Sequence, residues 1–306
     1  MNAEQHAHGH GHEHGHSHAP SGSLKALLVT LTMTATIFIA QVIGGLLSGS
    51  LALLSDAMHM LSDSTGLLIA LVAILIGRRA ATARATFGYR RVEVIAAVVN
   101  AATVIAASVW IVVSALGRFG GDHEIDTGLM LIVAIIGLIA NAISAAILMR
   151  HQHDSLNMRG AYLHVLSDLA GSVAVIIAGG VIYFTGWTAA DAIASLLIAA
   201  LVLPRALRLL TDSVAVLLNH APATIDTGEV TRQLEALPGV ASVHDLHIWS
   251  TDGNEPLATC HLVLAEQHQA GCDILDAAQA KLREFGIEHS TIQLEEGSHV
   301  GHEKIC

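Results

Sequence analysis

Six stretches of this 306-residue chain stay apolar for about twenty residues or more, at 24–47, 51–76, 92–117, 127–148, 159–184 and 189–210. At a helical rise of about 1.5 Å per residue, each can cross a hydrocarbon core of about 30 Å. A segment surrounded by lipid must satisfy its own backbone hydrogen bonds, so the runs are expected to be helices. A hydrophobic share of 53% against 13% charged residues excludes a soluble globular domain of this length. "LSGS" between the first two runs and "TGWTAAD" between the last two are tight turns that make their neighbours antiparallel. Lys25, Arg78, Arg79, Arg84, Arg90, Arg91, Arg150, Arg159, Arg205 and Arg208 fall on one side, and Arg118 alone on the other. The positive-inside rule then predicts six spans in a plasma or inner membrane with both termini cytoplasmic. No basic region followed by a short apolar core and cleavage site opens the chain, so no removable signal peptide is expected.

Three domains are expected: a disordered tail at 1–23, a membrane domain at 24–210 and a cytoplasmic domain at 211–306. In the tail, His recurs at positions 6, 8, 10, 12, 14, 16 and 18 among Gly and small polar residues, which cannot bury a core. Such a tract can loosely collect metal ions. After Leu210 a helix is expected from about Thr224 to Leu237, stopped by "PG". Two alternating apolar runs, "VASVHDLHIWS" and "PLATCHLVL", then flank "TDGNE" as a β-hairpin. A second helix at about 272–285 and a last strand "STIQLE" complete an αββαβ order, which suits an α+β domain with helices on one face of a small sheet. The fold class is therefore an α-helical membrane protein carrying a small α+β domain. Cys260, Cys272 and Cys306 form no CxxC and suggest a reduced setting for that domain. The formal charge of −11 comes mostly from the same third and gives no sign of nucleic-acid binding.

Two of the apolar runs carry the same pattern, "HMLSD" at 59–63 and "HVLSD" at 164–168. Four residues apart on a helix, His59 and Asp63 share a face, as do His164 and Asp168. Both pairs fall near mid-membrane, where an unpaired carboxylate costs about 2.5–3.5 kcal/mol on insertion scales. Two imidazoles and two carboxylates form a natural four-coordinate set for Zn²⁺ and neutralise its charge. Calcium and magnesium want more oxygen, and copper(I) wants sulfur. The alternative is that each His pairs with the Asp of its own helix as polar glue between spans. Asp56, one turn outward of His59, reads as a fifth ligand or, nearer the outer mouth, as a hydrated or backbone-bonding group. Asn100, Asn141 and Asp191 read as helix–helix hydrogen-bonding groups.

With "SLALLSDAMHMLSD", "FGYRRVEVIAA", "HVLSD", "DAIASLLIA", "VHDLHIWS" and "TIQLE", the chain resembles the cation diffusion facilitator family, in its bacterial zinc, cobalt and cadmium efflux subgroup, over about residues 24–296. The resemblance implies a homodimer that exports Zn²⁺ in exchange for protons by alternating access around His59, Asp63, His164 and Asp168. Zn²⁺ is then cargo and a regulatory ligand, no organic cofactor is expected, and the partners are metal ions, protons, the bilayer and a second copy. Cadmium is expected as a further cargo, with cobalt or nickel beyond it, because the ligand chemistry overlaps. The resemblance further implies regulatory metal ligands at His244, His261 and Glu295, with His302 and Cys306 completing a site across the dimer. On "VHDLHIWS", strict alternation puts His244, Leu246 and Ile248 on one face and Asp245, His247 and Trp249 on the other. On the next strand, His261 faces opposite to a core Cys260. A loop metal site found in some members is expected to be missing here, where its positions hold Thr82, Ala85 and Tyr89. By resemblance, Arg91 is expected to pair with Asp212; as plain sequence it is a positive-inside arginine.

Two other classes compete. An intramembrane zinc hydrolase would need a general base, but there is no HExxH and no Glu in the second or fifth run. A metal-sensing receptor would need a signalling domain after the small sheet.

Overall fold

The computed structural model describes residues 21–61, 82–119, 123–149, 156–265 and 271–298, with side chains excepted at 21–31, 156–161, 163 and 164. The helices are α1 (Ser21–Ser48), the described part of α2 (Leu51–Leu61), α3 (Arg91–Gly117), α4 (Thr127–Met149), α5 (Leu156–Thr185) and α6 (Ala189–Leu217). Four of them are long and apolar enough to cross a membrane, and Thr32–Ser48 and Leu51–Leu61 are shorter apolar stretches. Each of the six expected runs thus starts or lies in an apolar helix, although residues 62–76 of the second lie outside the described residues.

Helix α1 packs on α4, α4 on α5, α5 on α6 and α6 on α3. Their contact faces are narrow stripes of small and branched side chains, with Ala134, Ala178, Ala190, Ala194 and Ala206 beside Val104, Met130, Val175 and Ile198. Small residues let helix backbones approach closely where lipid supplies no hydrophobic drive. The opposite faces expose large apolar groups such as Ile136, Ile177, Leu197 and Leu201, as a lipid-facing surface requires.

The tight turn from α1 to α2 uses Gly49 at φ +71°, in the left-handed region, where an added Cβ would also sit 3.3 Å from the Glu124 carbonyl. The N-terminus of α2 is capped from the start of α6. Asp191 accepts from the Ser50 hydroxyl at 2.5 Å and from the backbone N–H of Leu51 and Ala52 at 2.8 and 3.1 Å. Arg118 Nη1 bridges the Gly49 carbonyl at 2.7 Å and Asp191 at 3.4 Å. Asp191 therefore does the helix-to-helix bonding expected of it. Asn141 differs: it is buried, and among the described residues neither side-chain polar atom has a hydrogen-bond partner.

Beyond α6 come α7 (Thr227–Glu235), β1 (Val240–Ser250), β2 (Pro256–Leu264), α8 (Cys272–Glu284) and β3 (His289–Glu295), the expected αββαβ order. Asp226 caps α7, accepting from Gly228 and Glu229 N–H, so the helix starts three residues later than expected. The sheet order is β1-β2-β3, antiparallel then parallel. Val230 and Leu234 of α7 and Ile274, Ala278 and Leu282 of α8 pack against Ile248, Ala258, Cys260, Leu262 and Leu264. Both helices thus cover one face, and Cys260 is core as expected.

Strict alternation fails on β1. His244 pairs with His261 and His247 with Thr259, so two residues of β1 stand against one of β2. This β-bulge is built on Asp245, whose φ of +53° is unusual for a residue other than glycine. It reverses the parity. His244 lies opposite the core face that holds Ile248, and it shares the helix-free face with His247, His261, Gln293 and Glu295.

Candidate metal sites

In the membrane domain, α2 supplies His59 and α5 supplies Asp168, and the bundle brings them together. His59 Nε2 lies 3.7 Å from Asp168 Oδ1 and 3.1 Å from Ser167 Oγ. His59 is 5% exposed and Asp168 fully buried. Two ligands of one tetrahedral zinc ion, with bonds near 2.1 Å, stand ~3.4 Å apart, so this spacing is close to what a shared ion needs. His164 falls in α5 one turn before Asp168, but its side chain, like all of Asp63, lies outside the described residues.

Asp56 departs from the expectation of a hydrated or backbone-bonding group at the outer mouth. The carboxylate is fully buried and accepts from the Gln41 amide of α1 at 2.7 Å and from the Ser172 hydroxyl of α5 at 3.3 Å. It is not water-exposed, and among the described residues it bonds no backbone group and its Oδ1 has no hydrogen-bond partner. Gly171 makes the room, since a Cβ there would lie 2.2 Å from Asp56 Oδ1. Sequence reading missed Gln41, Ser167, Gly171 and Ser172. Gln41, an amide inside an apolar run, was the available signal.

In the soluble domain the bulge assembles a second cluster. His244 Nε2 lies 3.0 Å from Glu295 Oε2, and His261 Nδ1 lies 3.0 Å from Glu295 Oε1. One ligand atom from each of the three residues lies within 4.8 Å of the others. The imidazoles stand edge to face with centroids 5.0 Å apart. Asp245 extends the cluster, 2.9 Å from His247 Nε2 and 3.7 Å from His261 Nε2. Burial works to raise Glu295, but the His244 and Gln293 hydrogen bonds and the two imidazoles outweigh it and hold its carboxyl below the usual range. An ionised carboxylate between two imidazoles is a sound donor set for a borderline divalent ion. His302 and Cys306 lie outside the described residues.

In the loop before α3, Thr82 and Ala85 bond each other through backbone and side chain. Arg91 does not meet Asp212; its Nη2 donates to Asn219 Oδ1 at 2.5 Å, just past the end of α6. Arg90 carries the ion pair instead, bonding Glu255 and lying 3.5 Å from Asp252 in the β1–β2 turn.

A bundle of membrane-length apolar helices bearing an αββαβ domain defines a multi-pass membrane protein with an attached soluble domain. Residues 27–218 match the cation efflux transmembrane domain, and residues 222–297 match the cytoplasmic domain of cation efflux proteins. The chain belongs to the cation efflux family, the cation diffusion facilitators, and is a transporter of metal cations rather than an enzyme. It is 42% identical over 85% of both chains to a cadmium, cobalt and zinc/H⁺-K⁺ antiporter of Bacillus subtilis. It is 44% identical to the zinc transporter ZitB of Escherichia coli, over 85% of this chain and 84% of that one. Against the metal cation efflux system protein CzcD of Cupriavidus metallidurans it is 43% identical over 85% and 83% of the two chains. A solved metal-bound C-terminal domain of a CzcD transporter is 38% identical, covering 23% of this chain and 99% of that one, with a TM-score of 0.22.

Proposed function

We propose that the protein exports Zn²⁺, and with it Cd²⁺, from the cytoplasm across the inner membrane in exchange for protons. Co²⁺ and Ni²⁺ are further candidate cargoes. The ion is held between α2 and α5 by His59, Asp63, His164 and Asp168, within a membrane domain of six spans at 24–210. The observation that carries this reading is the buried approach of His59 to Asp168 across two helices. A buried His and Asp approaching from different helices are what an ion shared by α2 and α5 requires. The named functions of the relatives point the same way.

Exchange follows from the ligands themselves. Zinc needs neutral imidazole and ionised carboxylate, so protons and metal compete for the same groups. Protonation in an outward-open state expels the ion, and deprotonation toward the cytoplasm restores affinity. The cytoplasmic domain at 211–306 supports a homodimer with cytoplasmic termini and holds regulatory metal at His244, His261 and Glu295, joined by His302 and Cys306. The tail at 1–23 gathers metal loosely.

The test is zinc uptake into inside-out vesicles under an imposed pH gradient, comparing the native chain with His59→Ala, Asp63→Ala and Asp168→Ala. Gradient-driven uptake that each folded variant loses supports the reading. Normal uptake by the variants would show that the pairs only hold helices together.

A further inference from the structure

A cavity of about 370 Å³ lies where the loop before α3 meets the soluble domain, lined on one side by Arg84, Phe87, Arg90 and Arg91 and on the other by Trp249 and Thr251. Among the described residues, three guanidinium-bearing side chains line it and no carboxylate does. Their charge is unevenly compensated. Arg90 is held by Glu255 and Asp252 at the rim, Arg91 bonds only the neutral Asn219, and the exposed Arg84 has no partner among the described residues. Asp252 stays firmly ionised: partial burial would raise it, but the Asn254 and Glu255 backbone N–H groups, the Ser250 hydroxyl and Arg90 together hold it low. Among the described residues, two guanidiniums at this cavity therefore have no counter-anion.

The position decides the ligand. Arg91 opens a membrane-length helix, so the loop lies at the level of the lipid headgroups. Phe87 and Tyr89 are 57% and 42% exposed in the same loop, as aromatic side chains at a membrane interface are. Basic pockets at the cytoplasmic ends of spans suit anionic headgroups, and guanidinium fits a phosphodiester through paired N–H donors.

We propose that this cavity binds the phosphodiester headgroup of an anionic membrane lipid, contacted by Arg84 from the loop, by Arg91 at the start of α3, and by Trp249 and Thr251 from β1 and its turn. The lipid then joins the membrane domain to the sheet that carries His244, alongside the Arg90 ion pair. Neither the exchange mechanism nor the metal sites are needed for this binding.

The experiment is native mass spectrometry of the full-length protein in neutral detergent, titrated with phosphatidylglycerol or with phosphatidylcholine. Phosphatidylglycerol should be retained in preference. Arg84→Gln and Arg91→Gln should each weaken retention about five-fold and together about twenty-five-fold, following the contribution of a basic residue near a charged bilayer. Inorganic phosphate should not displace the lipid. Equal retention of both lipids, retention unchanged in the double variant, or displacement by inorganic phosphate would each overturn the proposal. Zinc uptake by the double variant in phosphatidylcholine vesicles should match the native chain, which separates loss of lipid from loss of transport.

Discussion

Asp191, at the start of α6, accepts the backbone N–H of Leu51 at 2.8 Å, so the last span of the bundle caps α2, the helix that carries His59. The same carboxylate takes the Ser50 hydroxyl and faces Arg118, and all of this is buried or nearly so. The placement of His59 thus depends on a residue 132 positions away in the sequence.

Asp191→Ala would leave Arg118 without its carboxylate and the first N–H groups of α2 unbonded in a lipid-level interior. Stranding such groups costs ~3 kcal/mol. The thermal midpoint of the purified protein in neutral detergent should fall clearly, and Asp191→Asn, which keeps one acceptor oxygen, should fall less. Equal midpoints for all three proteins would mean the cap contributes nothing.

Gly171 and Asp56 are a steric pair. Gly171→Ala would put a methyl group 2.2 Å from Asp56 Oδ1, so either the carboxylate swings away from Gln41 and Ser172 or α5 moves off α2. Overpacking of this kind costs ~1–3 kcal/mol and would also disturb the 3.7 Å approach of His59 to Asp168. Zinc uptake should drop at least ten-fold, an order-of-magnitude expectation from that cost. Combining Gly171→Ala with Asp56→Ala should be no worse than Asp56→Ala alone, because the clash is then gone. Fully additive losses would show that Gly171 matters for some other reason.

The architecture was legible because hydrophobic run length and alternation are local properties. Runs of twenty apolar residues can only be helices in lipid, and the αββαβ order followed from turn residues such as "PG" and "TDGNE". His59 and Asp168 were legible because an ionisable group is conspicuous in an apolar run. What escaped reading was anything set by partners. Asp56 looked like a mouth residue, since only packing shows that Gln41 and Ser172 enclose it. Arg91 looked like a partner for Asp212, yet the chain end of α6 brings Asn219 to it instead. The face of His244 was misread because one left-handed residue, Asp245, shifts the register of everything after it, and aspartate does not announce that conformation.

Cys260 and Cys272 should differ sharply toward thiol reagents. Cys260 is core, and burial pushes its thiol up to about 11, leaving almost no thiolate at neutral pH, whereas Cys272 is exposed at the start of α8. In a Cys306→Ser background at pH 7, maleimide should label Cys272 promptly and Cys260 only after denaturant is added. Prompt labelling of both in the folded protein would mean that the core under β2 is open.

Glu295 makes the stability of the soluble domain sensitive to acid. Burial alone would raise its pKa, but the hydrogen bonds from His244 and Gln293 and the neighbouring imidazoles lower it below that of an ordinary glutamate. A carboxylate depressed by folding holds fewer protons in the folded state than in the unfolded chain. The stability it adds is therefore complete above the usual glutamate value of about 4.3 and disappears as pH falls through the lower folded value. The measurement is denaturant unfolding with chelator present, followed through Trp249 after Trp110→Phe and Trp187→Phe. The native chain should lose midpoint as pH drops from neutral into and below the carboxylate range. Glu295→Gln should start lower at neutral pH and show a shallower acid limb, because a neutral amide has no charge to lose. If the variant kept the full acid limb, other carboxylates would set the pH dependence and the ion pairs of Glu295 with His244 and His261 would add nothing to stability.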